Sequence, residues 1–363
     1  MCSYLCKTLI EKTATILSIA LELKTLSNIL MKLSIYQENI VDWVVNGTGN
    51  ACCDAVAGSS KSTTLRLAAL ALTEKGVHPS RIKICVFGKA NSQDLLTKFG
   101  RGWENSISTL HSAGWSLLKQ HLSFSYAQID TRKYSKIAKR FNFTKKRSYL
   151  IKNKIIGNDK SFNKLLDLIR LTNSSYSVES IEEICEHFEL SDIFDYAQVL
   201  NPLIQCLDEG ERLANRSKNP QFDFTDQIWL PVKWELTKKD WFTEYQFLLC
   251  DEAQDLNKSQ LELAIGLAGK KGRMLFVADK NQSILGFAGA DCNSYENILI
   301  RTKAIELPLS VCYRCPKSHL ELVRDMFPDI PIEAKPDAVE GTISTIRESD
   351  LWGSSDSRLI TGD

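Results

Sequence analysis

The chain has almost no surplus of charge, because its 45 lysines and arginines are balanced by 44 aspartates and glutamates. A net charge of +1 gives no bulk attraction to nucleic acid or to a membrane surface, so any such partner must meet a local charged patch. The chain also has no long uncharged apolar run. Its most apolar stretch, TILSIALELKTLSNILMKL, is interrupted by Glu22 and Lys24 and is typical of an amphipathic helix, not of a signal peptide or a membrane span.

The cysteines show no pattern of disulfide pairing. Their number, 11, is odd, and Cys52, Cys53, Cys85 and Cys250 lie inside strand-like apolar runs. Buried free thiols in a reducing, intracellular compartment are therefore expected. The sequence CYRC, residues 312–315, has the spacing of half a zinc site, but a second pair at that spacing is absent, so zinc is only weakly indicated.

Short apolar runs that end in polar residues predict the core of the protein. The runs are NACCDA (50–55), IKICVF (82–87), YQFLLC (245–250), RMLFVA (273–278) and AIELPL (304–309). Each has the length of a strand, and helix-like patterns separate several of them. This arrangement predicts an α/β fold with a buried, mostly parallel sheet.

The middle of the chain, residues 116–235, has a different pattern. It is rich in helix-like segments and lacks such strands, which predicts a helical insertion in the α/β core. Within it, residues 131–160 hold 11 lysines or arginines and a single acid, Asp159, with aromatic residues in between. This basic stretch is interpreted either as a solvated helical face or as a face that contacts phosphates.

The stretch DAVAGSSKSTTL, residues 54–65, has the features of a phosphate-binding loop between a strand and a helix. In such a loop, consecutive backbone N–H groups and a helix N-terminus hold an anion. A lysine adds charge at the outer phosphates and the next hydroxyl binds Mg²⁺, and Lys61 and Ser62 occupy these places. The pattern GxxxxGK[ST] fails at its two glycines, where Ala55 and Ser60 stand.

A second segment, LLCDEAQD, places two carboxylates directly after an apolar strand. Asp251 can hold Mg²⁺ there, and Glu252 can orient and deprotonate an attacking water. An acid pair after a strand is more often a solvated turn or a helix cap. The pair and the loop together, in one α/β chain, favour nucleotide hydrolysis.

Several segments together resemble one family. AVAGSSKSTT, TLHSAG, DEAQDLNKSQ, VADKNQSILGFAGAD and LSVCYRC occur in the order and approximate spacing of the UvrD/Rep-like superfamily 1 DNA helicases. SIYQENIVDWV is similar to the adenine motif of that family, and DFTDQIWLPV to the segment that closes its helical insertion. The resemblance covers roughly residues 34–320 and implies a RecA-like P-loop NTPase core with a parallel sheet and a helical insertion domain.

The resemblance implies a site for ATP and Mg²⁺. Asp251 would hold Mg²⁺ together with Ser62, and Glu252 would be the catalytic base. Gln254 would sense the γ-phosphate, and Arg314 would reach it from the start of a second motor domain. The residues implied to bind the nucleotide are Gln37, Ala57, Gly58, Ser59, Ser60, Lys61, Ser62, Thr63 and Gln282.

The resemblance also implies a single-stranded DNA partner and no membrane partner. In this family bases stack on aromatic side chains, and Phe287 matches such a position. Phe87, in VFGKAN, and His111, in TLHS, are further candidates for DNA contact. Hydrolase activity and a role in DNA repair follow from the same resemblance.

The chain departs from the family pattern in sequence and in length. Ser60 stands where the family has glycine, and a side chain there would crowd the phosphates and weaken ATP binding. Leu285 stands where the family usually has an aromatic residue. The later family motifs, including a second arginine of the ATP site, belong to a second motor domain, and the chain is expected to end near the first strand of that domain.

These observations predict the organisation of the chain. The predicted parts are a helical N-terminal extension over 1–30, an ATP-binding motor domain over 31–115 and 236–310, a helical insertion over 116–235, and the start of a truncated second motor domain over 311–363.

This organisation bears on three functions. The favoured one is the ATP-binding and single-stranded DNA-binding portion of a UvrD-like ATP-dependent DNA helicase, with a separate chain as a possible source of the second motor domain. The alternative is a catalytically impaired helicase remnant that binds DNA or a partner protein. An unrelated P-loop NTPase or kinase is disfavoured by DEAQD and NQSILGFAGAD. Hydrolysis by this chain alone is expected to be weak or absent.

Overall fold

The computed structural model describes residues 33–141, 144–145, 148–151, 154–193, 195–282 and 293–344. The predicted N-terminal helix over 1–30 and the predicted DNA contact at Phe287 lie outside the described residues.

The described residues form an α/β core with smaller sheets attached. The strands in chain order are β1 (Ala51–Ala55), β2 (Ile82–Val86), β3 (Ile107–Thr109), β4 (Gln128–Ile129), β5 (Thr144–Lys145), β6 (Ser148–Ile151), β7 (Lys154–Asn158), β8 (Gln221–Phe222), β9 (Phe247–Cys250), β10 (Arg273–Ala278), β11 (Ile305–Leu309), β12 (Val311–Cys312) and β13 (Glu333–Ala334). The helices are α1 (Ile35–Asn46), α2 (Lys61–Glu74), α3 (Lys89–Phe99), α4 (Leu110–Leu122), α5 (Lys133–Arg140), α6 (Asp159–Leu171), α7 (Val178–His187), α8 (Tyr196–Ala214), α9 (Asp226–Lys233), α10 (Lys258–Ala268), α11 (Ser294–Thr302) and α12 (Lys317–Met326).

The core sheet has six strands in the order β11-β1-β10-β9-β2-β3, and every pair is parallel. Its central strands are continuous apolar runs because both faces of the sheet are covered. Side chains of β1 alternate between the faces, since Cys52 belongs to one apolar cluster and Cys53 to the other. The predicted α/β fold with a parallel sheet is confirmed.

Helices cover the two faces of the sheet. Helices α1, α2 and α3 pack on one face. Helices α4, α9, α10 and α11 pack on the opposite face, in an apolar cluster that continues into the insertion. Helix α1 begins with a capping box, in which Ser34 and Gln37 each accept a hydrogen bond from the backbone of the other, so this sequence fixes where the helix starts.

The insertion contains strands that the sequence did not predict. Helices α5, α6, α7 and α8 occupy most of it, as expected, but β5, β6 and β7 form a three-stranded antiparallel sheet. The expectation that residues 116–235 lack strands is therefore wrong. The sequence of these strands explains why they form, because aromatic and β-branched residues favour strands and the basic residues between them do not prevent pairing. The residues of this kind are Tyr149, Ile151, Ile155 and Ile156.

A buried cluster of charges joins the insertion to the core. Asp226 accepts hydrogen bonds from Lys133 Nζ at 2.6 Å, from the Tyr134 hydroxyl at 2.9 Å and from Arg170 at 3.0 Å. Arg170 also bonds Asp223, and its backbone carbonyl accepts a bond from Ser259 of α10. Lys133 belongs to the basic stretch, so this part of the stretch is packed inside the protein instead of facing a ligand.

The chain enters and leaves the insertion at two helices in close contact. A Cβ on Gly114 of α4 would lie 1.8 Å from the backbone carbonyl oxygen of Gln227 in α9, so only glycine permits this approach. Helix α9 forms from the segment DFTDQIWLPV and also packs on α10.

The segment after β11 forms a small unit of its own. β12 pairs with β13 in parallel, and α12 lies between them in the chain. Cys312, Leu320 and Ile332 of this unit share an apolar cluster with Val56, which lies in the loop after β1. The unit is thereby anchored to the phosphate loop. Among the described residues, none of the helices has the length and apolar character needed to cross a lipid bilayer.

Candidate functional site

The carboxyl ends of the central strands bring the predicted site residues together. The phosphate loop follows β1, Asp251 and Glu252 follow β9, and Asp279 follows β10. These strands are neighbours in the sheet and run in the same direction. Their polar ends therefore meet at one edge, where parallel α/β sheets bind ligands.

The loop of residues 56–60 uses two residues in the left-handed backbone region. Gly58 has φ 74° and Ser60 has φ 63°, immediately before helix α2. A Cβ on Gly58 would lie 2.8 Å from Cys312 Sγ, so glycine is required there on two grounds. Ser60 adopts a conformation that glycine reaches without cost and that costs other residues about 1–2 kcal/mol.

The loop pairs directly with the two carboxylates after β9. Lys61 Nζ lies 2.9 Å from Glu252 Oε2, and the Ser62 hydroxyl donates to Asp251 Oδ2 at 2.6 Å. The predicted phosphate and Mg²⁺ residues therefore stand opposite the predicted metal ligand and base. The fold thus brings together, from two distant segments, the groups that the sequence assigns to nucleotide hydrolysis.

Gln254 connects Glu252 to the next strand. Its Nε2 donates to Glu252 Oε2 at 2.8 Å, and its Oε1 accepts from the backbone N–H of Asp279 at 3.0 Å. Gln254 is buried, so this bridge holds Glu252 between the ends of β9 and β10. Glu252 itself has φ 50°, which points its side chain toward Lys61 through a left-handed turn.

The site concentrates carboxylates in a desolvated place. Burial raises the pKa of Asp251 above its usual range, and the hydrogen bond from Ser62 opposes this effect. Burial also raises the pKa of Asp255 and of Asp279. A desolvated group of acids favours a bound cation, because a cation stabilises the ionised form of the carboxylates.

Unpartnered polar atoms at this edge test whether a nucleotide and its metal would fit. Ser59 Oγ, Asp255 Oδ1 and Asp279 Oδ2 are buried and have no hydrogen-bond partner among the described residues. Buried polar atoms normally have a partner. Their position around Lys61 therefore fits a polar, charged ligand at this edge.

Gln37, the predicted adenine contact, is buried and already bonded within the protein. Its Nε2 donates to Thr64 Oγ1 at 3.2 Å, and its Oε1 accepts from the Tyr313 hydroxyl at 2.9 Å and from the backbone of Ser34 at 3.1 Å. The fold thus places Gln37 beside helix α2 of the phosphate loop. An adenine contact from Gln37 stays a prediction.

The remaining residues predicted to bind the nucleotide differ in their exposure and in their distance from the loop. Ala57 and Ser62 are exposed, and Thr63 is half-buried on the first turn of α2. Arg314 is brought to the loop, since its Cβ lies 3.1 Å from the position of a Cβ on Gly58. Gln282 lies in a 3₁₀ turn after Asp279 with an exposed side chain, and the described residues show no contact between it and the loop.

Phe87 and His111, the described DNA candidates, lie close together. They follow β2 and β3, and both line a small pocket that also contains Asp251. Phe87 is 45% exposed, so part of its ring is accessible to a ligand. Burial lowers the pKa of His111, so its imidazole is neutral at pH 7 and adds no charge there.

Some residues of the site were missed in the sequence. Asp255 and Asp279 each follow a predicted strand closely, so the rule that selected Asp251 would have selected them too. Tyr313 bonds Gln37 through its hydroxyl and Gly58 through its backbone N–H, at 2.9 Å each. In the sequence, only the position of Tyr313 next to Arg314 indicated that it could belong to the site.

A family model matches most of the described core. The model for the UvrD/REP helicase N-terminal domain matches residues 37–301. This range contains the phosphate loop, both carboxylates after β9 and the whole insertion. It ends before Arg314.

Curated helicases are similar to parts of the chain. ATP-dependent DNA helicase Rep of Escherichia coli is 42% identical over 72 residues, which is 19% of this chain and 11% of that protein. DNA helicase II of Haemophilus influenzae is 35% identical over 82 residues, 23% of this chain and 11% of that protein. ATP-dependent DNA helicase PcrA of Staphylococcus epidermidis is 32% identical over 117 residues, 30% of this chain and 16% of that protein. The chain thus matches only a small share of the length of these relatives.

Proposed function

Because the chain belongs to the UvrD/REP helicase N-terminal domain family, we propose that it is the ATP-binding and single-stranded DNA-binding portion of an ATP-dependent DNA helicase. The observation that carries this proposal is the pairing of Lys61 with Glu252 and of Ser62 with Asp251. Each pair joins one residue of the phosphate loop to one carboxylate of the neighbouring strand. If Asp251 and Glu252 only formed a solvated turn or a helix cap, neither carboxylate would need to pair with the loop.

Ser62 and Asp251 would hold Mg²⁺, which supplies charge neutralisation for the phosphates when it is bound. The desolvated carboxylates around Lys61 support this assignment, as does the unpartnered oxygen of Asp279. The hydroxyl of Ser62 and one carboxylate oxygen of Asp251 already face one another.

Lys61 changes partner when a nucleotide binds. An outer phosphate is a stronger partner for the ammonium than one carboxylate is, so the phosphate displaces Glu252 from Lys61. Glu252 keeps its hydrogen bond from Gln254 and stays at the edge of the sheet. Its released carboxylate then accepts the proton of the attacking water.

Single-stranded DNA would lie along the carboxyl edge of the sheet, next to the nucleotide. Support comes from Phe87, whose exposed ring can stack on a base. His111 lies beside it as a neutral hydrogen-bonding group. Phosphate contacts from the basic stretch would come from its exposed members, because Lys133 is buried.

The proposed organisation follows the parts predicted from the sequence. The segment after β11 would be the start of a second motor domain, and Arg314 would reach the nucleotide from there. A separate chain is one proposed source of the remaining part of that domain. A reducing, intracellular compartment is proposed because the eight cysteines of the described residues are all free thiols.

Nucleotide binding tests the proposal directly. Mg·ATP affinity is measured by calorimetry with a non-hydrolysable analogue, for the wild type, for Lys61→Ala and for Lys98→Ala. Lys98 is an exposed lysine of α3 that forms an ordinary surface pair with Asp94, so it is the matched control. We expect the wild type and Lys98→Ala to bind equally, and Lys61→Ala to bind at least about tenfold more weakly. Equal affinity of all three proteins, or no binding by the wild type, contradicts the proposal.

A further inference from the structure

Two cysteines of the segment after β11 lie side by side against the phosphate loop. Cys312 is fully buried, and its Sγ lies 2.8 Å from the position that a Cβ on Gly58 would take. Cys315 packs against the same apolar cluster, which includes Val56. A bend at residues 313–315 turns both side chains into this cluster.

The two thiols differ in exposure, and this difference decides which one reacts first. Of the eight cysteines in the described part of the chain, seven are buried and only Cys315 is half-buried. Burial, followed by the charge of the nearby Cys312, raises the pKa of the Cys315 thiol. The thiolate is the attacking form, so the reaction of Cys315 is slow at neutral pH and becomes faster as the pH rises.

We propose that Cys312 and Cys315 form a reversible redox site, which closes to a disulfide when it meets a small-molecule disulfide and then weakens nucleotide binding at the adjoining loop. The effect on binding rests on the proposed function, whereas the disulfide does not. Zinc does not account for the pair, because the described residues contain no group of three or more side chains placed to hold a metal ion.

The reaction balances with oxidised glutathione as the oxidant. The Cys315 thiolate attacks one sulfur of glutathione disulfide, that S–S bond breaks, and one glutathione leaves as a thiolate that takes up a proton. Cys312 then loses its proton and attacks the sulfur of Cys315, and the second glutathione leaves. The two cysteines lose two electrons and two protons, and two glutathione thiols receive them.

The effect on the loop follows from what lies between the two cysteines. The Tyr313 N–H donates to the Gly58 carbonyl at 2.9 Å, and Arg314 Cβ lies 3.1 Å from the position of a Gly58 Cβ. A disulfide draws the two sulfurs to about 2.05 Å, which repositions Cys312 Sγ, the atom that lies against Gly58. We expect the bond between Tyr313 and Gly58 to be lost, which corresponds to a nucleotide affinity about fivefold weaker.

Trypsin makes the disulfide easy to map, because Arg314 lies between the two cysteines. Cleavage after residues 303, 314 and 317 leaves peptides 304–314 and 315–317, which only a disulfide can hold together. The protein is equilibrated with glutathione buffers of increasing oxidation at neutral and mildly alkaline pH, alkylated and digested. The nucleotide affinity of the same samples is measured with a fluorescent non-hydrolysable ATP analogue. Cys315→Ser removes the site, and Cys185→Ala, a buried cysteine of α7, is the control.

We expect the linked peptides in the wild type and in Cys185→Ala, formed faster at alkaline pH and removed by dithiothreitol. Nucleotide affinity should be about fivefold weaker in the oxidised wild type and independent of oxidation in Cys315→Ser. Free thiols at both positions in the most oxidising buffer, or a stable glutathione adduct on Cys315, overturn the redox site. A disulfide that leaves nucleotide affinity unchanged overturns its effect on the loop. Failure of the reduced wild type to bind nucleotide contradicts the proposed function, and the peptide map still decides the redox site.

Discussion

Lys61 Nζ lies 2.9 Å from Glu252 Oε2, so the cation of the phosphate loop is already neutralised by the residue proposed as the base. An incoming nucleotide must compete with this carboxylate for the lysine. Because of this competition, a substitution of Glu252 should change the affinity for nucleotide and the rate of hydrolysis in opposite directions.

The first prediction concerns Glu252→Gln. The neutral amide competes less well for Lys61, so Mg·ATP affinity should rise by about threefold or more. Any ATP turnover should fall by about 10²–10⁴-fold, because the amide cannot accept the proton of water. Calorimetry and a phosphate-release assay measure the two effects. Glu262→Gln is the control, because Glu262 is a half-buried residue of α10 that pairs with Arg301 away from the loop. Weaker nucleotide binding by Glu252→Gln than by the control contradicts the prediction.

The second prediction concerns Ser60→Gly. Ser60 has φ 63°, and glycine removes the strain of this conformation and lets the loop backbone approach the phosphates. Nucleotide affinity should rise by up to about tenfold, or ~1.4 kcal/mol.

The control for this change is Ser123→Gly, because Ser123 has φ 51° at the end of α4, in the same backbone region. Both variants should gain a similar free energy of unfolding, of about 1 kcal/mol. Only Ser60→Gly should change the affinity for nucleotide. No change of affinity in either variant would show that the loop tolerates serine, and an equal change in both would show that the effect does not arise at the loop.

The third prediction concerns DNA. Phe87→Ala should weaken binding of single-stranded DNA by ~1–3 kcal/mol if the exposed ring stacks on a base. Fluorescence anisotropy with a labelled oligonucleotide measures the affinity at several salt concentrations. Phe327→Ala, also an exposed phenylalanine but at the end of α12, is the control. The slope of affinity against salt should be unchanged in both variants, since no phosphate contact is removed. An effect of Phe87→Ala as small as that of the control contradicts stacking.

The fourth prediction concerns the buried charges between the insertion and the core. Asp226→Asn leaves Lys133 and Arg170 without a full counter-charge where all three side chains are at most 1% exposed. The free energy of unfolding in urea should fall by about 3–5 kcal/mol. Asp167→Asn removes another partner of Arg170, but this carboxylate is 49% exposed, so the loss should stay below about 1 kcal/mol. Similar losses in the two variants contradict the role of burial.

The core sheet could be predicted from the sequence because each of its long strands is an apolar run that ends at a polar residue. The predicted run RMLFVA coincides with β10, and NACCDA exceeds β1 by a single residue. The carboxylates after β9 could be predicted for the same reason. Because the strands are parallel, the same prediction also places these carboxylates at the edge of the sheet where the loop lies.

Other features could not be predicted, for identifiable physical reasons. The contact between Tyr313 and Gln37 joins residues 276 positions apart, and no local pattern records it. Lys133 lies in a basic stretch, yet the fold buries it beside Asp226, because a distant acid balances its charge. The strands β5, β6 and β7 are short, and their pairing depends on one another more than on any single run of residues.

The contact of Gly114 with Gln227 has a consequence for how this architecture can vary. Helices α4 and α9 touch where the chain leaves the core and returns to it, so everything between them is a loop whose two ends are fixed to each other. The entropy of closing such a loop depends only slowly on its length. The entropic part of joining the insertion to the core is therefore nearly independent of how many residues the insertion contains, whereas the buried contacts of Arg170 and Asp226 depend on which residues it contains.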